Sequence, residues 1–369
     1  MKITQLSVLS ISITLAFLNV SMAAPVNEGR AALVSRDYSL PPIIKSRANI
    51  LGKFPKVDLT AEATAKANNG PLPENVQTTD GIAVNATSGP SQAQTLAAIG
   101  NSVSIATEVQ VQDLKVFTQL SANVYCRVVV PLNQWACAHC SKDETLVSTF
   151  FTVLIDTNGF ITRNDKSKTI SLVFREFLHC EIYLFYSVPA ECKDFDFITV
   201  DYSPVKNAKI HGGFYKAYLD VQEPVISKMI EQITEYPNYK VAVSGHSLGG
   251  SLAEIAAMDL YQRDTRFNST NIVLHTYGQP RTGNSILGSY FTGTGIEYKR
   301  TVHDHNMIPH LPPLSVDYMH VGTEYWETET GPVKICTDFE SIKCSNSIVP
   351  FTSATDHLSY FGINTGLCL

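Results

Sequence analysis

Hydrophobic and polar positions follow two periodicities from about Val109 onward. Short runs rich in β-branched residues at 169–175 and 239–247 end in turn residues, which is typical of buried strands. Apolar residues at helical spacing predict helices within 114–126 and 214–236, and in the second of these Pro224 is expected to start or kink a helical segment.

The alternation continues toward the carboxyl terminus. Residues 251–264 are strong helix formers, and the β-rich segments 271–281 and 297–302 predict further strands. Strands that alternate with helices imply a largely parallel sheet, so the sequence predicts an α/β fold.

The first hundred residues have a different character. A lysine at position 2, an apolar stretch through Met22 and small residues before Pro25 predict a secretory signal peptide over residues 1–23. Residues 24–97 are rich in small and polar residues and lack cysteine, so they are expected to have no packed core of their own. We interpret them as a propeptide, with a flexible leader as the alternative, ahead of a domain at 98–369.

Composition narrows the function classes. A net charge of −6 and a pI near 5.9 predict no nucleic-acid partner. No later stretch is long and apolar enough for stable membrane insertion. In an oxidising compartment the eight cysteines predict disulfides, and Cys137 and Cys140 are expected to pair locally rather than to bind zinc. Asn85 and Asn268 begin N-glycosylation sequons and are expected at the surface of a secreted chain.

The segment 245–249, Gly-His-Ser-Leu-Gly, fits the G-x-S-x-G pattern of a nucleophile elbow. Its context is the predicted strand, a sharp turn and a predicted helix, which exposes the Ser247 hydroxyl above a helix amino terminus. The Leu248 N–H can then donate to an oxyanion. In such folds the acid follows the serine and the histidine follows the acid, which leaves His310, His320 and His357 as candidate bases.

The sequence resembles the fungal class 3 triacylglycerol lipases of the Rhizomucor and Rhizopus type. The resemblance covers about 100–175 and 194–369, and it rests on SANVYCR, KVAVSGHSLGG, GQPRTGN, IPHLPP and CSNSIVPFTSATDHLSYFGINTGLCL. It implies an α/β-hydrolase fold with a mostly parallel central sheet and helices on both faces. The implied activity is hydrolysis of long-chain acylglycerols at an oil–water interface by a secreted, monomeric enzyme without cofactor or metal.

Carried over by position, the resemblance makes Ser247 the nucleophile, His357 the base and Leu248 one oxyanion donor. It makes His310 and His320 supporting residues. The family's disulfide pattern would pair Cys126 with Cys368, Cys137 with Cys140, and Cys336 with Cys344.

The chain departs from the family pattern at the catalytic acid, whose place is held by Asn306. An amide accepts a hydrogen bond from imidazole but does not stabilise the imidazolium, and its NH₂ end can donate instead. In serine proteases the same change lowers turnover by about 10⁴. If the segment stays extended, Asp304 would point to the same side about 6–7 Å away and could substitute. His303, Asp304 and His305 could also suggest a metal site, but the sequence offers no further ligands at suitable spacing, so we predict no metal site.

A second departure spans 176–193, where the family has a Gly-Ser or Gly-Thr oxyanion donor and a lid helix. The segment adds Cys180 and Cys192, whose pairing the sequence leaves open. It is compatible with a divergent lid, with an inactive relative, or with a misplaced intron boundary, and the abrupt break favours the last. The sequence thus predicts a lipase weakened at its acid. The alternatives are an inactive lipid-surface binding protein and a feruloyl-type esterase.

Overall fold

The computed structural model of the chain describes residues 103–152, 157–175, 198–349, 352–366 and 368, together with the backbone of two short strands farther upstream. These are β1 (Asn75–Gln77) and β2 (Ala83–Asn85), which pair antiparallel. Within this part of the chain, no helix combines the length and hydrophobicity that a membrane span needs.

Nine strands form the central sheet. They are β3 (Val103–Ile105), β4 (Thr145–Phe151), β5 (Asn158–Asn164), β6 (Thr169–Arg175), β9 (Lys240–His246), β10 (Ile272–Tyr277), β11 (Glu297–His303), β12 (Thr323–Glu327) and β13 (Lys334–Cys336). Two antiparallel ribbons lie outside this sheet: β7 (Thr199–Asp201) with β8 (Lys209–His211), and β14 (Ser359–Tyr360) with β15 (Ile363–Asn364).

The order across the sheet is β3-β13-β12-β11-β10-β9-β6-β5-β4. The five central strands, β12 to β6, run parallel, and an antiparallel pair of strands flanks them at each edge. The strand that leads to Ser247, β9, is central and buried, so its carboxyl end is held on both sides.

Four α-helices accompany the sheet: α1 (Glu108–Asn123), α2 (Gly212–Glu235), α3 (Leu248–Arg263) and α4 (Ser285–Thr294). Thr107 begins α1 through a capping box with Gln110, which satisfies the first free N–H groups of the helix. Short 3₁₀ helices carry Ile308–His310, Leu314–Val316, Ser345–Ile348 and Thr355–His357.

Helices cover both faces of the sheet because strand residues alternate between two cores. Leu172 and Phe174 of β6 pack into the core that includes α2 and α3, whereas Val173 joins Phe117 and Leu120 of α1 on the other face. This is the arrangement that a strand buried on both sides requires, and it confirms the predicted α/β architecture.

The strands at 169–175 and 240–246 match the predicted segments. Of the two alternatives predicted for Pro224, the start of a new helical segment was wrong. Helix α2 runs from Gly212 through Pro224 to Glu235, so the proline lies inside one helix and does not start a new one. Buried contacts on both sides of the proline, at Val221 and Val225, hold the helix against the sheet and override the local preference.

Three disulfides join the pairs that the family resemblance implies: Cys126–Cys368, Cys137–Cys140 and Cys336–Cys344. The first links the end of helix α1 to the carboxyl terminus, across a sequence separation of 242 residues. Cys180 and Cys192 lie outside the described residues.

Candidate active site

Ser247 lies at the turn between β9 and α3, with φ 58° and ψ −133°. This left-handed φ is costly for a residue with a side chain, and it persists because the neighbouring chain fixes it. The Ser247 N–H donates to the Tyr277 carbonyl at 2.8 Å, and the Gly250 N–H donates to the Ser247 carbonyl at 2.9 Å. These backbone bonds fix the turn that carries the serine hydroxyl.

The two glycines of the elbow allow close backbone contacts. A Cβ on Gly245 would stand 2.1 Å from the Gly249 carbonyl oxygen, and a Cβ on Gly249 would stand 2.4 Å from the Phe174 carbonyl oxygen. Both positions therefore exclude any side chain. The strand, the turn and the helix predicted around G-x-S-x-G are all present in the structure.

His357, at the end of a 3₁₀ helix, faces the serine. Its Nε2 lies 2.7 Å from Ser247 Oγ, and each of the two residues is 2% exposed. Burial, and secondarily the neighbouring His246, lower the pKa of His357 well below its usual range. The imidazole is therefore neutral at rest, as a general base must be.

A second histidine supports the first. This second histidine is His246, whose Nδ1 lies 2.7 Å from the Tyr125 hydroxyl oxygen and whose Nε2 lies 2.8 Å from the His357 carbonyl oxygen. The two imidazole rings lie 4.5 Å apart at an angle of 30°. Burial lowers the pKa of His246 to about 4. The sequence analysis missed His246 and Tyr125, although both stand inside the quoted motifs.

Asn306 is fully buried close to His357. Its amide Nδ2 donates to the Tyr360 hydroxyl at 2.6 Å, and its Oδ1 accepts the Ile308 N–H at 3.0 Å. Among the residues that the structure describes, His357 Nδ1 has no hydrogen-bond partner. The nitrogen that a catalytic acid would engage is therefore unsatisfied as the residues stand.

Asp304 does not take that place. The chain does not stay extended as the substitution would need: β11 ends at His303, and Asp304 adopts a φ of 38°. Its carboxylate lies 3.2 Å from the Nδ1 of His305, and its main chain bonds Glu327 and Trp326. The turn directs Asp304 away from period-two alignment with Asn306, so the structure gives no support to the substitution.

The possible metal ligands separate into two groups. Asp304 and His305 come together with Asp356, within 4.8 Å of one another and each partly exposed. His303 instead bonds the Asp356 carbonyl through Nδ1 at 3.0 Å. The Asp356 carboxylate also accepts the His305 N–H at 3.1 Å, so it joins the segment after β11 to the 3₁₀ helix that carries His357.

The two other candidate bases lie in a separate polar network. His310 Nδ1 lies 3.0 Å from Asn346 Oδ1, and His320 Nε2 donates to the Pro309 carbonyl at 2.7 Å. Burial lowers the pKa of both imidazoles. Both histidines lie between β11 and β12, whereas the histidine that bonds Ser247 Oγ is His357.

Gly278 is a site residue that pattern reasoning did not single out. Its φ is +59°, and a Cβ there would lie 2.1 Å from the Tyr360 hydroxyl oxygen, 2.7 Å from His357 Nδ1 and 2.8 Å from Asn306 Nδ2. The three polar atoms thus converge on the bare Cα of this glycine. The GQPR motif that contains Gly278 was the available signal.

Leu248, the predicted oxyanion donor, is the first residue of α3. The N–H groups of a helix's first turn have no acceptor within the helix and point toward its positive end, so this N–H suits a developing oxyanion. The segment 176–193, where the family's other donor and lid would stand, lies outside the described residues.

Asn268, one of the two predicted glycosylation sites, lies partly exposed in the turn between α3 and β10. Its Oδ1 accepts the Thr270 hydroxyl at 2.6 Å. Asn85 is the last residue of β2, and its side chain lies outside the described part of the chain.

A serine on a strand–helix elbow, bonded to a histidine from a distant segment, defines the active site of a serine hydrolase. The family model "Lipase (class 3)" matches residues 187–316. The chain is 44% identical to the lipase of Rhizomucor miehei over 335 residues, which cover 89% of this chain and 90% of that relative. This chain belongs to the class 3 lipase family.

Solved structures agree with this assignment and with the α/β-hydrolase fold. Lipase II from Rhizopus niveus superposes with a TM-score of 0.68 at 46% identity, covering 72% of this chain and 100% of that one. A Rhizomucor miehei lipase–propeptide complex superposes with a TM-score of 0.70 at 43% identity, covering 90% of this chain and 100% of that one.

Proposed function

We propose that the chain is a secreted triacylglycerol lipase that hydrolyses acylglycerol esters through an acyl-enzyme on Ser247. The observation that carries the proposal is the 2.7 Å contact between Ser247 Oγ and His357 Nε2 on a strained elbow. The relatives of similar length are lipases, and the chemistry needs only water besides the residues present.

In this mechanism Ser247 Oγ attacks the ester carbonyl carbon while its proton passes to His357 Nε2. The Leu248 N–H donates to the oxyanion of the tetrahedral intermediate. The carbon–oxygen bond to the glycerol side then breaks, and the leaving alkoxide takes the proton from His357. Water then attacks the acyl-enzyme while His357 takes its proton. The return of that proton to Ser247 Oγ releases the fatty acid and restores the serine.

Asn306 weakens this cycle. The transfer of the serine proton makes an imidazolium, and no carboxylate from the described part of the chain bonds His357 Nδ1 to stabilise it. Burial opposes the charged form further. By analogy with the serine proteases, we expect turnover to be lower by about 10⁴ than in a relative with an acid at this position.

The domain organisation follows the same proposal. Residues 1–23 act as a signal peptide, 24–97 as a propeptide and 98–369 as the catalytic domain. Disulfides suited to an oxidising compartment support secretion. The propeptide assignment is supported by the neighbouring structure of a lipase with its propeptide, which covers 90% of this chain.

A second function is favoured by the same asparagine: a lipid-surface binding protein that kept the fold and lost catalysis. A phosphonate ester distinguishes the two, because it labels a working nucleophile. Labelling at Ser247 supports the enzyme, whereas binding to lipid droplets without labelling supports the second function. Rate enhancement above the solubility limit of the ester separates a lipase from a feruloyl-type esterase.

The test is the initial rate of triacylglycerol emulsion hydrolysis by the parent chain and by Ser247→Ala. We expect the parent to exceed the variant, which should fall to background. Ser251→Ala is the matched control, since Ser251 is also buried in the elbow helix but bonds the Pro280 carbonyl; it should retain most of the parent rate. Equal rates for the parent and Ser247→Ala would contradict the proposal.

The purified protein used for this test also settles the segment at 176–193. Mass-spectrometric recovery of the peptide EFLHCEIYLFYSVPAECK shows that the segment belongs to the protein. If a shorter family-like peptide is recovered instead, the rate measurement is repeated on that chain.

A further inference from the structure

Asn306 lies between two fixed polar partners. The backbone N–H of Ile308 donates to its Oδ1 at 3.0 Å, and its own Nδ2 donates to the Tyr360 hydroxyl oxygen at 2.6 Å. Asn306 and Tyr360 are both fully buried, so no water competes at the surface for these groups. The amide is held at both ends.

The two partners differ in what they permit. The oxygen and nitrogen ends of an amide have nearly the same shape, so its orientation follows from its partners. The Tyr360 hydroxyl can donate or accept and tolerates either end, whereas the Ile308 N–H can only donate. Turning the amide over would set its NH₂ group against that N–H, two donors without an acceptor. The backbone at Ile308 therefore selects the orientation.

With Oδ1 committed to Ile308, the NH₂ end lies on the side of His357. Asn306 Nδ2 and His357 Nδ1 stand 2.8 and 2.7 Å from the same point, the position a Cβ on Gly278 would occupy. The amide NH₂ group therefore lies on the Nδ1 side of the imidazole, although it forms no hydrogen bond with Nδ1 as the described residues stand. A ring nitrogen beside a donor is favoured as the acceptor, without a proton of its own.

We propose that the Ile308 N–H and the Tyr360 hydroxyl lock Asn306 with its NH₂ group toward His357, so that the resting imidazole carries its proton on Nε2 and donates to Ser247 Oγ. The inference deepens the proposed lipase function and rests on it. The 2.7 Å contact between serine and histidine then runs in the unproductive direction, because an Nε2 that holds a proton cannot take another from the serine.

The productive state needs the other tautomer, with the proton on Nδ1. That proton would face the amide NH₂, again donor against donor, so the productive tautomer is rare at rest. The site therefore limits catalysis before any charge develops, in addition to the missing stabilisation of the imidazolium. Tyr360 is a positioning residue in this arrangement, since it acts through Asn306.

The same surroundings form a seat for a carboxylate. An aspartate at 306 would accept the Ile308 N–H with one oxygen, and the Tyr360 O–H and an Nδ1–H of His357 with the other. Every donor would then be satisfied, and the tautomer of His357 would reverse. One atom at position 306 thus decides the direction of the serine–histidine hydrogen bond.

The test combines a spectroscopic and a kinetic readout on the full chain, as the parent and as Asn306→Asp. Long-range ¹H–¹⁵N spectra of ¹⁵N-histidine protein, assigned with His357→Gln, should show the Nε2–H tautomer in the parent and the Nδ1–H tautomer in Asn306→Asp. The rate at which a phosphonate ester labels Ser247 should rise by about 10³- to 10⁴-fold in Asn306→Asp.

Asn364→Asp is the matched control. Asn364 also accepts a backbone N–H two residues on, that of Gly366 at 3.0 Å, and it lies in β15, outside the central sheet. It adds the same charge and should leave the labelling rate near the parent value. A rise in both variants would assign the effect to net charge and overturn the inference.

Tyr360→Phe separates positioning from packing. Removal of the hydroxyl should change labelling of the parent by less than about threefold, but should slow Asn306→Asp by about tenfold, because only the carboxylate needs that donor. An equal loss in both backgrounds would assign Tyr360 a packing role alone.

The inference and the proposed function fail in different ways. An Nδ1–H tautomer in the parent, or an unchanged labelling rate in Asn306→Asp beside a labelled parent, would overturn the lock and leave the lipase function standing. If neither chain is labelled and both retain the folded spectrum, the lipase function itself fails.

Discussion

Two buried histidines lie side by side at the elbow, and they are supported very differently. His246 has a partner at each ring nitrogen: the Tyr125 hydroxyl at Nδ1 and the His357 carbonyl at Nε2. A carbonyl only accepts, so the proton of His246 must be on Nε2, and Tyr125 must donate to Nδ1. His357 has Ser247 at Nε2, and no residue in the described ranges forms a hydrogen bond with its Nδ1.

In this comparison the backbone carbonyl of His357 has a hydrogen-bond partner, whereas its Nδ1 has none among the described residues. His246 holds His357 in place in two ways: its Nε2 bonds the His357 carbonyl, and the centroids of the two rings lie 4.5 Å apart. Only a partner at Nδ1 can fix which nitrogen of His357 holds the proton. Position and protonation are therefore controlled by different residues.

The largest expected loss of labelling rate comes from Gly278→Ala, which changes the surroundings of His357. The new methyl group would collide with the Tyr360 hydroxyl, His357 Nδ1 and Asn306 Nδ2. Displacing the imidazole by such a contact should lower phosphonate labelling of the active Asn306→Asp chain by at least about 100-fold. The labelling rate and the melting temperature are measured together.

Gly362→Ala is its control. Gly362 also has a positive φ, +75°, but nothing lies within 4 Å of its would-be Cβ. Both variants should lose about 1–2 kcal/mol of folding stability from backbone strain, and only Gly278→Ala should lose the labelling rate. Similar rates for the two variants would show that the convergence on Gly278 does not matter to catalysis.

Tyr125→Phe tests the His246 side and should have a smaller effect. Without the hydroxyl, His246 Nδ1 loses its donor, and the bond to the His357 carbonyl is no longer fixed in one tautomer. Labelling of the Asn306→Asp chain should fall by about tenfold. Tyr202→Phe removes another buried hydroxyl, one that bonds Gln262, and should leave the rate unchanged. Equal rates for the two phenylalanine variants would refute a role for Tyr125 in holding His357.

Stability against pH, rather than the labelling rate, tests the burial of His246 itself. Burial lowers the pKa of His246 from its usual 6.5 to about 4 in the folded chain. Between these values the unfolded state binds a proton that the folded state does not, so stability falls as the pH falls from 6.5 toward 4, by about 1.4 kcal/mol per pKa unit. The stability advantage of the parent over His246→Gln should shrink across this window in urea titrations. A constant difference would show that burial does not lower the pKa of His246 in the folded chain.

Much of this architecture could be predicted from the residues. The strands at 169–175 and 240–246 and the helix after Ser247 follow from periodicity and from the glycines of the elbow. Pro224 could not be placed this way, because the packing of α2 against the sheet outweighs the helix-breaking preference. The turn at Asp304 was equally hidden, since its positive φ arises where β11 leaves the sheet.

The sequence predicts the nucleophile and its oxyanion helix from residue types at short spacing, and the family resemblance places an amide where the acid is expected. The tertiary structure decided which histidine meets Ser247, which end of Asn306 faces it and why Gly278 must lack a side chain. These facts depend on atoms from four segments converging within hydrogen-bond distance. Periodicity and motifs do not carry that information, because a hydrogen bond's direction is set by partners that are distant in the chain.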